Sequence, residues 1–148
     1  SVTGVQTCAL PILRGNARLW VDGSVSQSGG SALNVASSGT LQMWVRNSVS
    51  FAGNAAVNTT YDALRMRIYG LPTCTSVSFS GNAEFTGTLY APSADLRFNG
   101  GGSDRADFMG AAIVGSAQLN GHFEFHYDEN LGRNGPAASF VIDSWSEI

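Results

Sequence analysis

Eight residues, Ser48-Val49-Ser50-Phe51-Ala52-Gly53-Asn54-Ala55, return almost unchanged as Ser76-Val77-Ser78-Phe79-Ser80-Gly81-Asn82-Ala83. Internal repetition at a short interval constrains a fold more than composition does, because each copy must repeat the same local structure and bury its apolar face against the next. The pattern continues downstream. Glu84-Phe85-Thr86-Gly87 is echoed by Asp107-Phe108-Met109-Gly110, and the block ends Asn99-Gly100 and Asn120-Gly121 correspond. Ala91-Pro92-Ser93-Ala94-Asp95-Leu96 is matched with Val114-Gly115-Ser116-Ala117-Gln118-Leu119. A looser copy lies upstream, in Gly23-Ser24-Val25-Ser26, Leu33-Asn34-Val35 and Leu41-Gln42-Met43-Trp44-Val45.

Within each block the apolar residues alternate with polar ones over a few positions, as in Thr88-Leu89-Tyr90 and Asp95-Leu96-Arg97-Phe98. That is the period of a strand, and Gly, Asn, Ser and Pro punctuate the alternation as turns. Short strands returning roughly every 20 residues predict an all-β fold, a single-stranded parallel β-helix whose coils stack about 4.8 Å apart. An antiparallel sandwich accepts short strands but does not require one motif to return at matching offsets. Leu89, Leu96, Phe98, Ile113 and Leu119 are expected to point inward, with Phe51, Phe79, Phe85 and Phe108 as further rows. Gly87 and Gly110 allow close approach of coils, and Asn99 and Asn120 are placed to bond across a turn from one coil to the next. Asn58 to Pro72 interrupts the rhythm. There Leu64, Met66 and Ile68 alternate with Arg65, Arg67 and Tyr69, which predicts a strand with an arginine-bearing outer face.

Both ends need separate treatment. Val2 to Ile12, VTGVQTCALPI, matches the conceptual translation of a common sequencing adapter at every residue. Residues 1–12 are therefore expected to be an artefact, and 13–148 a β-helix domain shortened at its N-terminus. Striking Cys8 leaves Cys74, expected to be a small buried hydrophobe. At the other end residues 126–148 are expected to form a cap. Its last strand carries Phe140, Ile142 and Trp145 over the final coil, because an open solenoid end exposes apolar rows and unpaired backbone.

The segment Gly121 to Arg133, GHFEFHYDENLGR, holds both histidines of the chain. As a strand it puts His122, Glu124 and His126 on one face and Phe123, Phe125 and Tyr127 on the other. Outer members of the H-x-E-x-H array lie about 13 Å apart in a strand, too far to share one metal ion without a bend. The structural reading of His126-Tyr127-Asp128-Glu129 is the stronger one. Asp128 accepts backbone N–H groups of a turn through Leu131, and His126 donates to a carbonyl or to Asp128.

Function classes narrow by chemistry. Charged residues are 13%, lysine is absent, all eight cations are arginines and the net charge is -3. That distribution carries no basic stripe for nucleic acid. Opposed carboxylates for glycoside hydrolysis would have to come from pairs across coils, Glu84 with Asp107 or Asp95 with Asp104. Arg65, Arg67, Arg97 and Tyr90 are the residues to test for co-location at a sugar site. Gly100-Gly101-Gly102-Ser103 lacks the ending and setting of a phosphate loop, and no nucleophile elbow is present. No catalytic residue, metal or cofactor is assigned.

The ordered motifs Phe85-Thr86-Gly87, Tyr90-Ala91-Pro92, Asn99-Gly100, Gly110-Ala111-Ala112-Ile113-Val114 and His126-Tyr127-Asp128-Glu129, with the final Trp145, resemble a β-helical domain. That domain is found at the C-termini of uncharacterised bacterial envelope proteins, several with a PilX-like, pilus-assembly N-terminal segment. The resemblance is closest from Ser76 to Ile148. It implies an extracellular or cell-surface module, joined to the membrane only through a missing N-terminal segment. Pilus or envelope proteins, or a surface glycan, would be its partners. The expected function is a non-enzymatic structural or adhesive one; the alternative is a polysaccharide-acting lyase or hydrolase on the same scaffold.

Overall fold

The computed structural model describes residues 12–100 and 108–134. The chain winds as a parallel β-solenoid, and every described strand pair is parallel. The first coil contains β1 (Ile12–Leu13), β2 (Asn16–Val21) and β3 (Val25–Gln27). The second contains β4 (Ala32–Val35), β5 (Thr40–Val45) and β6 (Ser48–Phe51), and the third β7 (Ala56–Val57), β8 (Met66–Gly70) and β9 (Ser76–Gly81). The fourth and fifth coils are continuous extended segments that turn the corners themselves, β10 (Glu84–Gly100) and β11 (Phe108–Gly121). β12 (Phe125–Tyr127) and the short helix α1 (Asn130–Asn134) follow.

Three faces result. The narrow face stacks β1, β4, β7, the start of β10, the start of β11, and β12. A second face stacks β2, β5, β8, Thr88 to Tyr90 and Ala111 to Ile113; its outer surface is aromatic. The third, rich in serine, stacks β3, β6, β9, Asp95 to Gly100 and Ser116 to Gly121. The repeat read from sequence is the register of this face, with Ser48 beside Ser76 and Phe51 beside Phe79.

Phenylalanine rings form two columns in the interior, beside aliphatic residues such as Leu41, Met43, Met66, Ile68 and Leu89. Phe51, Phe79, Phe98 and Phe123 follow the serine face, with successive ring centroids 5.3, 5.0 and 4.7 Å apart. Phe85, Phe108 and Phe125 follow the narrow face at 5.0 and 4.7 Å. Edge-on contacts lock the columns together: Phe79 meets Phe108 at 82° and Phe98 meets Phe108 at 88°. Rings in offset or edge-on contact gain beyond their buried area. Cys74 is among the fully buried core residues, and burial pushes its thiol pKa up, a backbone hydrogen bond with Ser76 opposing the shift.

Close approach of coils is visible at one corner. Gly29, Gly53, Gly81, Gly100 and Gly121 form a column, each with positive φ (71°, 70°, 71°, 125° and 108°). A Cβ on Gly81 would sit 3.0 Å from the Gly53 carbonyl oxygen, and one on Gly100 2.8 Å from Gly81 N. An L side chain is disfavoured there by backbone conformation and by space together. Gly110, φ 141°, lies against Gly87 in the coil before, where a Cβ would run into the Gly87 carbonyl oxygen. Amide ladders accompany the corner: Asn82 Nδ2 donates to Asn54 Oδ1 at 3.2 Å, and Asn120 Nδ2 to Asn99 Oδ1 at 3.1 Å.

Four expectations are corrected. Ile113 does not point inward. Leu89 fixes the parity of its rung, its partner is Ala112, and Ile113 pairs with Tyr90 on the outside, 59% exposed. Leu119 does occupy the inward register of Phe98, but on the last rung of its face, where it is 54% exposed. Its neighbour is also displaced. Leu96 pairs with Ala117 rather than Leu119, because Pro92 to Ala94 at one corner shrinks to Gly115 alone in the next coil. Leu64 is not part of a strand: Ala63–Arg65 is a 3-10 turn, and the predicted alternation starts at Met66 and Ile68, both buried. The proposed artefact at residues 1–12 falls, apart from Ile12, outside the described residues, as do Asp104, Asp107 and the capping strand with Trp145.

Candidate functional site

The aromatic face is assembled by four tripeptides of one kind. Leu19-Trp20-Val21, Met43-Trp44-Val45, Ile68-Tyr69-Gly70 and Leu89-Tyr90-Ala91 each start with an inward aliphatic residue and put the aromatic outward. Register aligns them, Trp20 with Trp44, Trp44 with Tyr69, Tyr69 with Tyr90, and Tyr90 with Ile113. Trp44 and Tyr69 stack at 5.3 Å and 15°. Trp20 is 50% and Tyr90 48% exposed. Four aromatic side chains on a water-facing surface are not needed for the core, which phenylalanine and aliphatic residues supply from the inward positions.

Beside this column runs a second one of outward side chains, Arg18, Gln42, Arg67, Thr88 and Ala111, again in register. Neither Arg18 nor Arg67 has an ion pair among the described residues. Arg65, by contrast, is committed: its Nε lies 2.9 Å from Asp62 Oδ2, and its Nη1 donates to the Gly39 carbonyl at 3.2 Å. No outward position of β2, β5, β8, Thr88 to Tyr90 or Ala111 to Ile113 is a carboxylate. The face is locally cationic in a chain of net charge -3.

One end of the face is deepened into a cleft of about 260 Å³, lined by Leu64, Arg67, Tyr69, Tyr90, Tyr127 and Leu131 among others. Its rim comes from the insertion in the third coil. Asn58, fully buried and with φ 58°, donates through Nδ2 to the carbonyls of Asp62 and Thr86, both at 2.9 Å, and accepts from Thr60 Oγ1. Asp62 caps the 3-10 turn by accepting from Leu64 N at 3.1 Å. Asp128 joins the cap to this rim. Its Oδ1 accepts from Asn130 N at 3.0 Å, opening α1, while its Oδ2 accepts from Ala63 N at 3.1 Å, across 65 residues of sequence. One carboxylate thus ties the cap to the insertion. The Asp128 carbonyl also accepts from Leu131 N, which is how Leu131 is held over the cleft.

The other residues singled out by sequence are distributed as follows. His126 does not reach Asp128 or a backbone carbonyl; its Nε2 lies 3.4 Å from Glu124 Oε2, on a surface where both side chains are 56% exposed. The chain bends after Gly121, so Phe123 and Phe125 join different phenylalanine columns, and Tyr127 leaves the core for the cleft at 57% exposure. Glu129 contributes its carbonyl to Gly132 N in the first turn of α1. Among the described residues no group of three or more His, Cys, Asp or Glu side chains is placed to hold a metal ion. Glu84 and Asp95 sit on different faces, on the narrow face and the serine face. Asp95 accepts from Ser116 Oγ and lies 3.9 Å from Arg97. Of the four candidate sugar-site residues, Arg67 and Tyr90 come together and Arg97 lies on another face.

Of the outward aromatic column the sequence predicts only Tyr69 as outward and Tyr90 as a sugar-site candidate. The signal was present in the four aliphatic-aromatic tripeptides, each one position out of step with the inward alternation, but their spacing varies with the coil. Trp20 to Trp44 spans 24 residues, Trp44 to Tyr69 25 and Tyr69 to Tyr90 21, by subtraction of the paired positions. Comparison with curated proteins and with solved structures gives no match. A family model does match, over residues 7–134. This chain therefore belongs to that family, a domain of unknown function designated DUF7305.

Proposed function

We propose that this domain is a rigid, non-catalytic structural or adhesive module of a cell-envelope or pilus-associated bacterial protein. The observation that carries the reading is the way its exposed chemistry is arranged. Aromatic and serine side chains recur outward in register from coil to coil, with Arg18 and Arg67 two rungs apart beside the aromatics, on a core of interlocked rings. Columns in register along a solenoid present repeated contacts to an extended partner. A catalytic site instead gathers unlike groups around one reacting atom. The resemblance of the Tyr90-Ala91-Pro92 and His126-Tyr127-Asp128-Glu129 motifs to envelope-protein domains points the same way.

The test is made in a bacterium that carries the gene. Antibody raised against the domain should label intact cells, and deletion of the gene should reduce attachment to surfaces. Labelling only after permeabilisation, or attachment unchanged by deletion, would count against it. So would turnover of any member of a polysaccharide panel by the purified chain, the outcome that a lyase or hydrolase requires.

A further inference from the structure

We propose that the aromatic face is a binding surface for an extended, uronate-bearing polysaccharide strand lying along the solenoid axis, with the cleft at Tyr69, Tyr90 and Tyr127 as its deepest subsite. The proposal rests on the reading of the domain as an adhesive module and names what it adheres to.

Three observations select this ligand class. The first is composition. A pyranose ring offers apolar C–H faces and a rim of hydroxyls, and the face offers Trp20 and Tyr90 with about half their surface exposed beside Gln42, Arg67 and Thr88. Outward neighbours on one strand are two residues apart, roughly 6.6 Å, so a ring resting on the aromatic column puts its hydroxyls within reach of the polar column.

The second is period. The two columns repeat once per coil, about 4.8 Å, through four aromatic rungs without a break in register. A short-repeat polymer can use every rung of such a surface. A folded protein surface has no matching period, and nucleic acid would need many more cations than this face holds.

The third is charge. Arg18 and Arg67 stand two rungs apart in one column, with Gln42 between them, and no carboxylate shares the face. A ribbon-like glycan with two-fold screw symmetry presents the same substituent to one side at every second sugar. A carboxylate on those sugars meets Arg18 and Arg67 in turn, and the guanidinium fork suits it.

The experiment is affinity electrophoresis of the whole chain in gels containing polygalacturonate, methyl-esterified polygalacturonate or a soluble neutral β-glucan. Polygalacturonate should retard the chain most, and added salt should weaken the retardation. Arg18→Gln and Arg67→Gln should each weaken apparent affinity for polygalacturonate about 3- to 10-fold, the size expected for one exposed to half-buried charge contact. Trp20→Ala and Tyr90→Ala should weaken it by at least about 5-fold, in the range of a stacking contact. Arg97→Gln, on the serine face, should change nothing, and circular dichroism melts establish that each variant is folded. No retardation by polygalacturonate overturns the proposal. So does equal loss in Arg97→Gln, or neutral glucan binding as well as the uronate polymer. If the polymer is instead bound and then shortened, the face is correct and the non-catalytic reading fails, so the two failures are distinguishable.

Discussion

Phe79 is the residue on which the packing account can be broken. Its ring meets four others, Phe51, Phe85, Phe98 and Phe108, at centroid distances of 5.3, 5.6, 5.0 and 5.7 Å. It joins the two phenylalanine columns and is 1% exposed. Replacing a fully buried phenylalanine by alanine costs about 3–5 kcal/mol, the spread reflecting how far the site can collapse. Collapse is limited here. The neighbours are rigid rings in strands whose register is fixed on both sides, so Phe79→Ala should fall near the top of that range, about 4–5 kcal/mol. Phe79→Leu, which keeps most of the volume but loses the ring contacts, should cost about 1–3 kcal/mol. Against a domain stability of about 5–15 kcal/mol, the alanine variant is near the limit of folding, and its melting temperature should drop by roughly 8–20 °C. Urea unfolding followed by circular dichroism and tryptophan fluorescence gives the values; coincidence of the two probes checks that one transition is being read. Phe123→Ala, at the end of the same column and only partly buried, should cost less than half as much. A loss below about 2 kcal/mol for Phe79→Ala would refute the interlocked-column account, as would a Phe123→Ala loss of equal size.

Three further outcomes are expected. Gly110→Ala should cost at least about 2 kcal/mol or prevent folding, because positive φ and the Gly87 carbonyl penalise the same Cβ; chemical denaturation measures it, and a neutral effect would place the two coils further apart than described. Asp128→Ala should destabilise by about 2–3 kcal/mol, the sum of a lost cap and an orphaned buried amide, and hydrogen exchange at Ala63 and Asn130 should speed up together; acceleration at Asn130 alone would remove the link between cap and insertion. In a Cys8→Ser background, Cys74 should resist thiol reagents in the folded chain. Burial raises the folded pKa above the unfolded one, so the stabilisation is complete below the unfolded thiol pKa and is lost as pH rises through the folded one. Cys74→Ala should remove that alkaline slope, and an unchanged slope would assign it to other groups.

The fold was readable because coil-to-coil repetition is written into identity as well as pattern. Ser48 to Ala55 and Ser76 to Ala83 sit in register as the sequence implies, and the phenylalanine rows follow from them. What misled was local parity. In Gly110-Ala111-Ala112-Ile113-Val114 every residue is small or apolar, so alternation does not say which set faces inward. Only pairing with Leu89 and Tyr90 decides that Ala112 is inside and Ile113 outside. The corner between Ala91 and Asp95 misled in another way, because dropping two residues there leaves the motif similar while shifting its register. Asp128 was legible as a cap from its spacing to Leu131, but not as a pin to Ala63, a contact made only after the coils stack. Taken singly, Tyr69 reads as outward and Tyr90 as a sugar-site candidate, but Trp20 and Trp44 carry no such sign. Only the stacked register turns Trp20, Trp44, Tyr69 and Tyr90 into a surface.

The most direct test of the central claim, a rigid module that holds an acidic polymer without cutting it, is a single light-scattering measurement on a size-exclusion column. The whole chain is incubated overnight with polygalacturonate, and protein and polymer masses are followed across the eluate. The account predicts that protein travels with the polymer peak and that the polymer keeps its starting mass. Protein eluting where it does without polymer, or polymer of reduced mass, would contradict it.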